Sequence, residues 1–300
     1  MVGRSQYVLD ATTRLGALRA RPELGRYRAP ELIKAGRRGS VFSAWDRERR
    51  VLVKLHYGQA GVDEAKAAAN ALSRVEAWMD IGPNRVPLLL DHLEDDGVIV
   101  TEFAPGERLD RLIATHPDDR AALIKRSAEW LLALSGPPRL REAFQGRFWV
   151  RSRASALEGL VGDDADLAAA LMSEVARCRD ALAGREMAKY YAHGDWAPHN
   201  MIFDGETVFG VDIAVKKPIL RAKDLARFLV YLVAHVPGPP PLEHGIPVAD
   251  LRALAAVPEA QDDVLMRFFI GVELADKFAR NHDQGAVAAR VRAAICAYLA

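Results

Sequence analysis

Only two cysteines, Cys178 and Cys296, occur in 300 residues. That rules out a disulfide scaffold and any cysteine-rich zinc module. Long apolar runs are missing too: the densest, Phe228–Val236, falls far short of the ~20 residues a bilayer span needs. Met1-Val-Gly-Arg-Ser-Gln6 holds no apolar signal core, so a soluble cytoplasmic protein is the expectation. Charge of one sign is absent, because 41 Lys+Arg against 40 Asp+Glu leave a net +1. Nothing in that balance calls for a nucleic-acid partner. No period of about 20–50 residues repeats, which disfavours a solenoid. No G-x-x-x-x-G-K-[S/T] occurs, which disfavours a P-loop NTPase.

What is present suits one large domain or two lobes sharing a cleft. Half the residues are hydrophobic and 27% are charged, enough for a sizeable core. Charge is unevenly placed. Residues 1–60 hold 13 Lys/Arg against 5 Asp/Glu, which is compatible with a phosphate-bearing ligand near the N-terminus.

Strand signals cluster early. Pro30–Ala35, Ser40–Trp45 and Arg50–Tyr57 read as three extended segments of an antiparallel meander. A helical pattern follows over Val62–Met79, with Ala68, Ala71, Leu72, Val75 and Met79 on one face. Val86–His92 and Val98–Phe103 are strand-like, and Ala104-Pro-Gly106 breaks the pattern. Helices are expected beyond that break: from Thr115 to Leu134, Asp166–Met187, Lys223–Val236, Val248–Ala256, Glu259–His282 and Gln284–Leu299. Asn200–Phe203 and Thr207–Ile213 read as a hairpin turning at Asp204-Gly205.

The sharpest chemical signal is His193-Gly-Asp-Trp-Ala-Pro-His-Asn200. It fits H-x-D-x-x-x-x-N, the spacing of the kinase catalytic loop. With 8 His, 23 Asp and 4 Asn in the chain, chance supplies about 0.01 such matches. Asp212 follows twelve residues after Asn200, in Val211-Asp-Ile-Ala214. Asp195 is placed to accept the proton of an attacking hydroxyl. Asn200 and Asp212 offer hard oxygens to Mg²⁺ bridging a triphosphate.

The early strands supply the other half. Lys34-Ala-Gly36-Arg-Arg-Gly39-Ser-Val41 overlays G-x-G-x-x-G-x-V, with Lys34 in the first glycine place. Val51-Leu-Val-Lys54 overlays the V-A-I-K strand. Leu52 and Lys54 share a strand face, so one can cover a purine while the other reaches the phosphates.

With these residues the chain resembles the aminoglycoside phosphotransferase/choline kinase-like family of the protein-kinase-like superfamily. His-Gly-Asp replaces His-Arg-Asp, no Asp-Phe-Gly occurs, and no Ala-Pro-Glu follows Asp212, the tripeptide standing only at Ala29–Glu31, ahead of the glycine loop. Lys223-Asp-Leu-Ala226 is similar to that family's Asp-Leu-Ala segment, and Val100-Thr-Glu-Phe-Ala-Pro-Gly106 looks like its lobe-connecting hinge. The resemblance spans roughly residues 30–230. Ile213 stands where the family often has an aromatic.

The resemblance implies an α+β, two-lobed protein-kinase-like fold. Residues 1–104 would form the β-rich N-lobe and 105–300 the helical C-lobe. It implies ATP- or GTP-dependent, Mg²⁺-dependent phosphorylation of a small-molecule hydroxyl. Asp195 would be the catalytic base, Lys54 would orient the phosphates, and Asn200 and Asp212 would be the metal ligands. Gly36 and Gly39 belong to the nucleotide-covering loop. Backbone around Glu102–Ala104 would meet the base, with Val41, Leu52 and Ile202 on its two faces. Asp224 would brace the catalytic loop, with His193 buried beneath it. The helix glutamate that pairs with Lys54 is Glu64, with Glu76 the alternative.

Blander readings stand beside these. His193, Asp195 and His199 as metal ligands would leave Asn200 and Asp212 unexplained. Arg37 and Arg38 are more often solvated turn residues than phosphate clamps. Trp196 either packs the loop or stacks on substrate. Two other functions compete: a kinase for a cell-envelope or capsule sugar, and a catalytically inactive nucleotide-binding scaffold. The basic residues Lys216, Lys217, Arg221 and Lys223 after Asp212 favour a neutral or anionic acceptor over a polycation. Asp250, Asp262, Asp263 and Glu273 are the acids that could reverse that field.

Overall fold

The computed structural model describes residues 4–213 and 217–300. Its first elements are α1 (Arg4–Leu18), α2 (Pro22–Gly25), β1 (Arg28–Gly36), β2 (Gly39–Asp46), β3 (Arg49–His56) and α3 (Gly58–Met79). Next come β4 (Asn84–Arg85), β5 (Leu89–Leu93), β6 (Val98–Glu102), β7 (Glu107–Arg108), α4 (Leu109–Thr115) and α5 (Arg120–Ser135). The middle holds β8 (Leu140–Ala143), α6 (Arg147–Leu157), α7 (Asp163–Leu182), β9 (Glu186–Lys189), β10 (Met201–Phe203) and β11 (Val208–Gly210). The last are α8 (Arg221–His235), β12 (Leu242–Glu243), β13 (Ile246–Pro247), α9 (Val248–Ala253), α10 (Asp263–Asn281) and α11 (Gly285–Leu299).

The chain divides into two compact units. One comprises Met1–Gly106 with Asp204–Lys216, the other Glu107–Phe203 with Lys217–Ala300. The first boundary falls after Gly106. The segment Asp204–Lys216, expected with the C-terminal part, groups with the first unit instead. The reason is pairing: β11 runs parallel to β4, with Val208 opposite Asn84, and Val208 N–H donates to Pro83 O at 2.9 Å.

The first unit is built on a five-stranded sheet in the order β1-β2-β3-β6-β5. All its pairings are antiparallel. Alternation divides the side chains between two faces. Phe42, Ala44, Val51, Val53, Leu55, Val98 and Val100 form a buried cluster with Ala11 and Leu15 of α1 and with Leu24 and Tyr27. α1 carries no strong apolar pattern in sequence, yet its few apolar residues cap this face. The register puts Val41 opposite Lys54 and Ser43 opposite Leu52 on one side of β3. It puts Ile99 opposite Lys54 and Thr101 opposite Leu52 on the other. Leu52, Lys54 and His56 therefore share the second face. Gly39 is a steric necessity, because a Cβ there would lie 2.4 Å from Leu55 O.

The second unit is mainly helical. α10 is buried on nearly every side, from Leu265 to Phe278, as expected of a central core helix. Two expected helices are cut short by local chemistry. The one expected from Thr115 begins at Arg120, after a 3₁₀ turn over Pro117–Asp119, because Pro117 cannot donate into a continuous helix. The one expected to reach Met187 ends at Leu182. Gly184 then takes φ +77, and 186–189 pairs as a strand with β8. β10 and β11 occupy the expected hairpin positions. The intervening turn is held by Asp204 Oδ1, which accepts from Glu206 and Thr207 N–H at 3.0 and 2.7 Å. No helix among the described residues is long and apolar enough to cross a membrane.

Candidate active site

In the first unit, the Lys54 ammonium forms an ion pair with the Asp212 carboxylate. Asp212 holds φ +61 just after β11, a left-handed conformation that is costly for a residue with a side chain and often marks function. Lys54, His56, Ala68, Leu72, Ile99, Thr101, Asp212 and Ile213 line a small pocket. The helix residues in that lining are Ala68 and Leu72, neither of them acidic.

This corrects the expected Lys54–Glu64 pair. The Glu64 carboxylate lies 3.8 Å from His56 Nδ1, because Glu64 stands one turn before the helix positions that line the pocket. Glu76, the alternative, accepts from Leu89 N–H at 3.1 Å and so ties α3 to the start of β5. Burial, and after it the neighbouring Lys54 charge, lower the His56 pKa.

Gly36 and Gly39 face one another across the β1–β2 turn, and Arg37 and Arg38 at its tip are exposed. Glu102 N–H donates to Leu88 O at 2.9 Å, and Phe103 N–H donates to Arg50 O at 3.3 Å. Both donors are thus spent in the sheet. The Glu102 carboxylate binds Arg85 at 3.2 Å and accepts from Leu88 N–H at 3.3 Å. Ala104 is half-buried just beyond β6. Ile202 lies on β10 in the second unit, half-buried, with Arg108 as its strand partner.

In the second unit the loop from His193 to Asn200 is fixed from several sides. Asn200 is buried, and its Nδ2 donates to Asp195 O at 3.0 Å. Asp224, fully buried in the first turn of α8, accepts from Gly194 N–H at 2.9 Å. Gly194 has φ +84, so the backbone bends there at little steric cost. His193 is fully buried beside Trp130, and its Nδ1 accepts from Asp195 N–H at 3.3 Å. Trp196 is fully buried and stacks on Phe228 at 4.1 Å between centroids, which makes it a packing residue.

The residue that sequence reasoning missed is Arg227. Its Nη1 lies 2.5 Å from Asp195 Oδ1, and its Nε lies 3.1 Å from Oε2 of the buried Glu273. Burial works against the Arg227 charge, but the Glu273 and Asp195 carboxylates outweigh it and raise its pKa. A signal was available. Arg227, Tyr231 and His235 recur every four residues in α8, a polar stripe through an otherwise apolar segment. Phe228, Leu229, Val230, Leu232, Val233 and Ala234 are core, whereas Tyr231 points its hydroxyl at Asp110 Oδ2, 2.9 Å away.

Of the basic residues after Asp212, Lys216 lies outside the described residues. Lys217 is exposed. Arg221 is buried and spent on Glu259 at 2.7 Å. The positive charge expected along this segment is therefore only partly available.

The family model described as the phosphotransferase enzyme family matches residues 30–211. A comparison with curated protein sequences found no match. Solved structures share the fold. One is a thermostable variant of aminoglycoside phosphotransferase APH(4)-Ia in a ternary complex with AMP-PNP and hygromycin B. It is 14% identical with a TM-score of 0.66, over 96% of this chain and 98% of that one. Another is aminoglycoside 2'-phosphotransferase-IIIa with GDP, 12% identical with a TM-score of 0.64, over 95% and 97%. A third is a choline/ethanolamine kinase family protein from Mesorhizobium loti, 18% identical with a TM-score of 0.56, over 95% and 98%. These likenesses make the fold the α+β, protein-kinase-like one.

Proposed function

The chain belongs to the phosphotransferase enzyme family, and from that membership we propose that it moves the γ-phosphoryl group of ATP or GTP, with Mg²⁺, onto a hydroxyl of a small molecule. The observation that carries the reading is the construction of the His193–Asn200 loop. Its backbone is pinned by Asn200 and Asp224, while the Asp195 side chain stays nearly half exposed. A general base must be held in one place and still reach its proton donor. The solved relatives with AMP-PNP or GDP support a nucleotide as the phosphoryl source.

The roles divide between the two units. In this reading Lys54 neutralises phosphate oxygens, and Leu52 and Val41, on the same sheet face, lie against the base. Asp195 accepts the acceptor's proton as its oxygen attacks phosphorus. Each donor taken singly suits Mg²⁺ by its chemistry. Asn200 spends its amide nitrogen on Asp195 O, which leaves the amide oxygen as a hard ligand. The Asp212 carboxylate is 55% exposed. When bound, the metal would neutralise charge on the phosphate oxygens.

An inactive nucleotide-binding scaffold would not require Asp195 and Asn200 alongside Lys54 and Asp212. A phosphotransfer screen with ATP and GTP against sugars, amino alcohols and aminoglycosides tests the proposal. Transfer to one acceptor class supports it. Nucleotide binding without transfer to any class points to the scaffold instead.

A further inference from the structure

The polar stripe of α8 meets a second stripe on α10. Arg227, Tyr231 and His235 lie four residues apart on one helix, and Glu273 and Lys277 lie four apart on the other. Arg227 joins Glu273 to the Asp195 carboxylate. Lys277 Nζ is 3.2 Å from His235 Nε2 and 5.3 Å from the Tyr231 ring centroid. His199, next to Asn200 in the loop, lies tilted against the Tyr231 ring, 4.8 Å between centroids.

The carboxylates around this floor are already matched. Asp195 and Glu273 share Arg227. Asp110 receives Arg108 at 2.9 and 2.6 Å and the Tyr231 hydroxyl at 2.9 Å. Asp276 takes Arg153 at 3.0 Å and Arg280 at 2.9 Å. The remaining candidate acids are engaged too: Asp250 with Arg120, Asp262 with Arg185, and Asp263 with His244. Lys277 differs. Among the described residues no carboxylate stands within ion-pair distance of its ammonium, and its two contacts are an imidazole and an aromatic face.

His235 does not compete for the same role. Burial, and then the Lys277 and Arg290 charges, lower its pKa to about 4. It is neutral at pH 7 and accepts one Lys277 proton through Nε2. Burial likewise lowers the Lys277 pKa, so its charge is held at a cost that a bound anion would offset.

We infer that Lys277, over the Tyr231 ring and one turn of α10 from Glu273, the core partner of Arg227, is a subsite for an anionic group carried by the acceptor, a phosphate or a carboxylate. This rests on the phosphotransferase reading and names its substrate class: a hydroxyl compound such as a sugar phosphate or sugar acid. A polycationic acceptor would meet the charges of Arg108, Arg227 and Lys277, while the carboxylates named above are, among the described residues, already paired, which selects against it.

The test is titration calorimetry without nucleotide on the wild type, Lys277→Gln and Lys277→Arg. The probes are glucose 6-phosphate, glucuronate, glucose and glucosamine. The wild type should bind at least one anionic probe about 10-fold more tightly than glucose, and less so as salt rises. Glucose 6-phosphate against glucuronate tells phosphate from carboxylate. Lys277→Gln should lose the preference and Lys277→Arg should retain part of it, with both variants melting cooperatively. Three results would overturn the inference: equal binding of anionic and neutral probes, a preference that survives in Lys277→Gln, or tightest binding of glucosamine. Absence of heat from both anionic probes at about 10 mM would do the same. Nucleotide binding and turnover on the same preparations report separately on the phosphotransferase reading, so either idea can fail alone.

Discussion

Arg227 grips Asp195 with Nη1 and Glu273 with Nε, at 2.5 and 3.1 Å. One guanidinium thus couples an exposed loop carboxylate to a core helix. The fork geometry of arginine makes this possible, since its N–H groups point in fixed, separate directions. Held through Oδ1, the Asp195 side chain is restricted in rotamer, and in the proposed function its Oδ2 is the oxygen left for the acceptor's proton.

Removing Arg227 should therefore do two separable things. Arg227→Met strands the buried Glu273 charge, a loss of about 3–5 kcal/mol for breaking one side of a buried pair. Adding Glu273→Leu should recover much of that stability, because an apolar replacement of both partners is often neutral. Phosphoryl transfer should stay about 10–100-fold low in kcat in the double variant, with nucleotide KM little changed. Denaturant melts and steady-state kinetics on the pair check this. Full kcat in the stabilised double variant would reduce Arg227 to a structural role.

Asp224 makes a narrower prediction. Asp224→Ala leaves the Gly194 N–H without its acceptor in a buried place, a loss of about 1–3 kcal/mol. Asp224→Asn keeps a carbonyl oxygen for that N–H and should cost less. Thermal melts of both variants rank them. Equal stability of Asp224→Ala and wild type would contradict the bracing role.

Much of this was legible in the chain, for identifiable reasons. The loop motif at His193–Asn200 and the strand carrying Lys54 are defined by local spacing, so sequence shows the positions that the proposed chemistry uses. The three early strands follow from alternation bounded by turns. Glu64 could not be settled, because a helix offset of one turn decides which residue faces Lys54, and only the packing of α3 fixes that offset. Arg227 and Lys277 depend on how α8 sits against α10. Helix α1 escaped notice because two buried residues, Ala11 and Leu15, suffice to dock it.

The Lys54 ammonium pairs with the Asp212 carboxylate, and the proposed function gives the first to the nucleotide's phosphates and the second to its metal. Mg²⁺ with ATP or GTP should raise the melting temperature, with about 2.7 kcal/mol of stabilisation at 100 times Kd. Lys54→Met should lose most of that shift. Asp212→Asn should lose the part that depends on Mg²⁺ and keep the rest. A full shift in Lys54→Met would place the phosphates elsewhere.

His235 predicts a pH dependence of stability. Its pKa is lowered to about 4 in the fold, against 6.5 for an unperturbed histidine. The unfolded chain therefore binds the extra proton first, and stability falls as pH drops from about 6.5 towards 4. The charges facing the ring are Lys277, Arg290 and, if protonated, His199, with Asp110 opposing them. The melting temperature of His235→Gln relative to wild type should rise over that window and level off below it. A constant difference between the two proteins across pH 4–7 would contradict this account.

The central claim is transfer of a phosphoryl group to a small-molecule hydroxyl with Asp195 as the base. The most direct measurement is ³¹P NMR of wild type and Asp195→Asn with Mg²⁺, ATP or GTP, and a panel of neutral, anionic and cationic hydroxyl compounds. The account predicts a growing phosphomonoester signal with the wild type, strongest for an anionic acceptor. It predicts loss of that signal by at least about 100-fold in Asp195→Asn, while nucleotide still stabilises both proteins. A phosphomonoester formed equally fast by Asp195→Asn would contradict it.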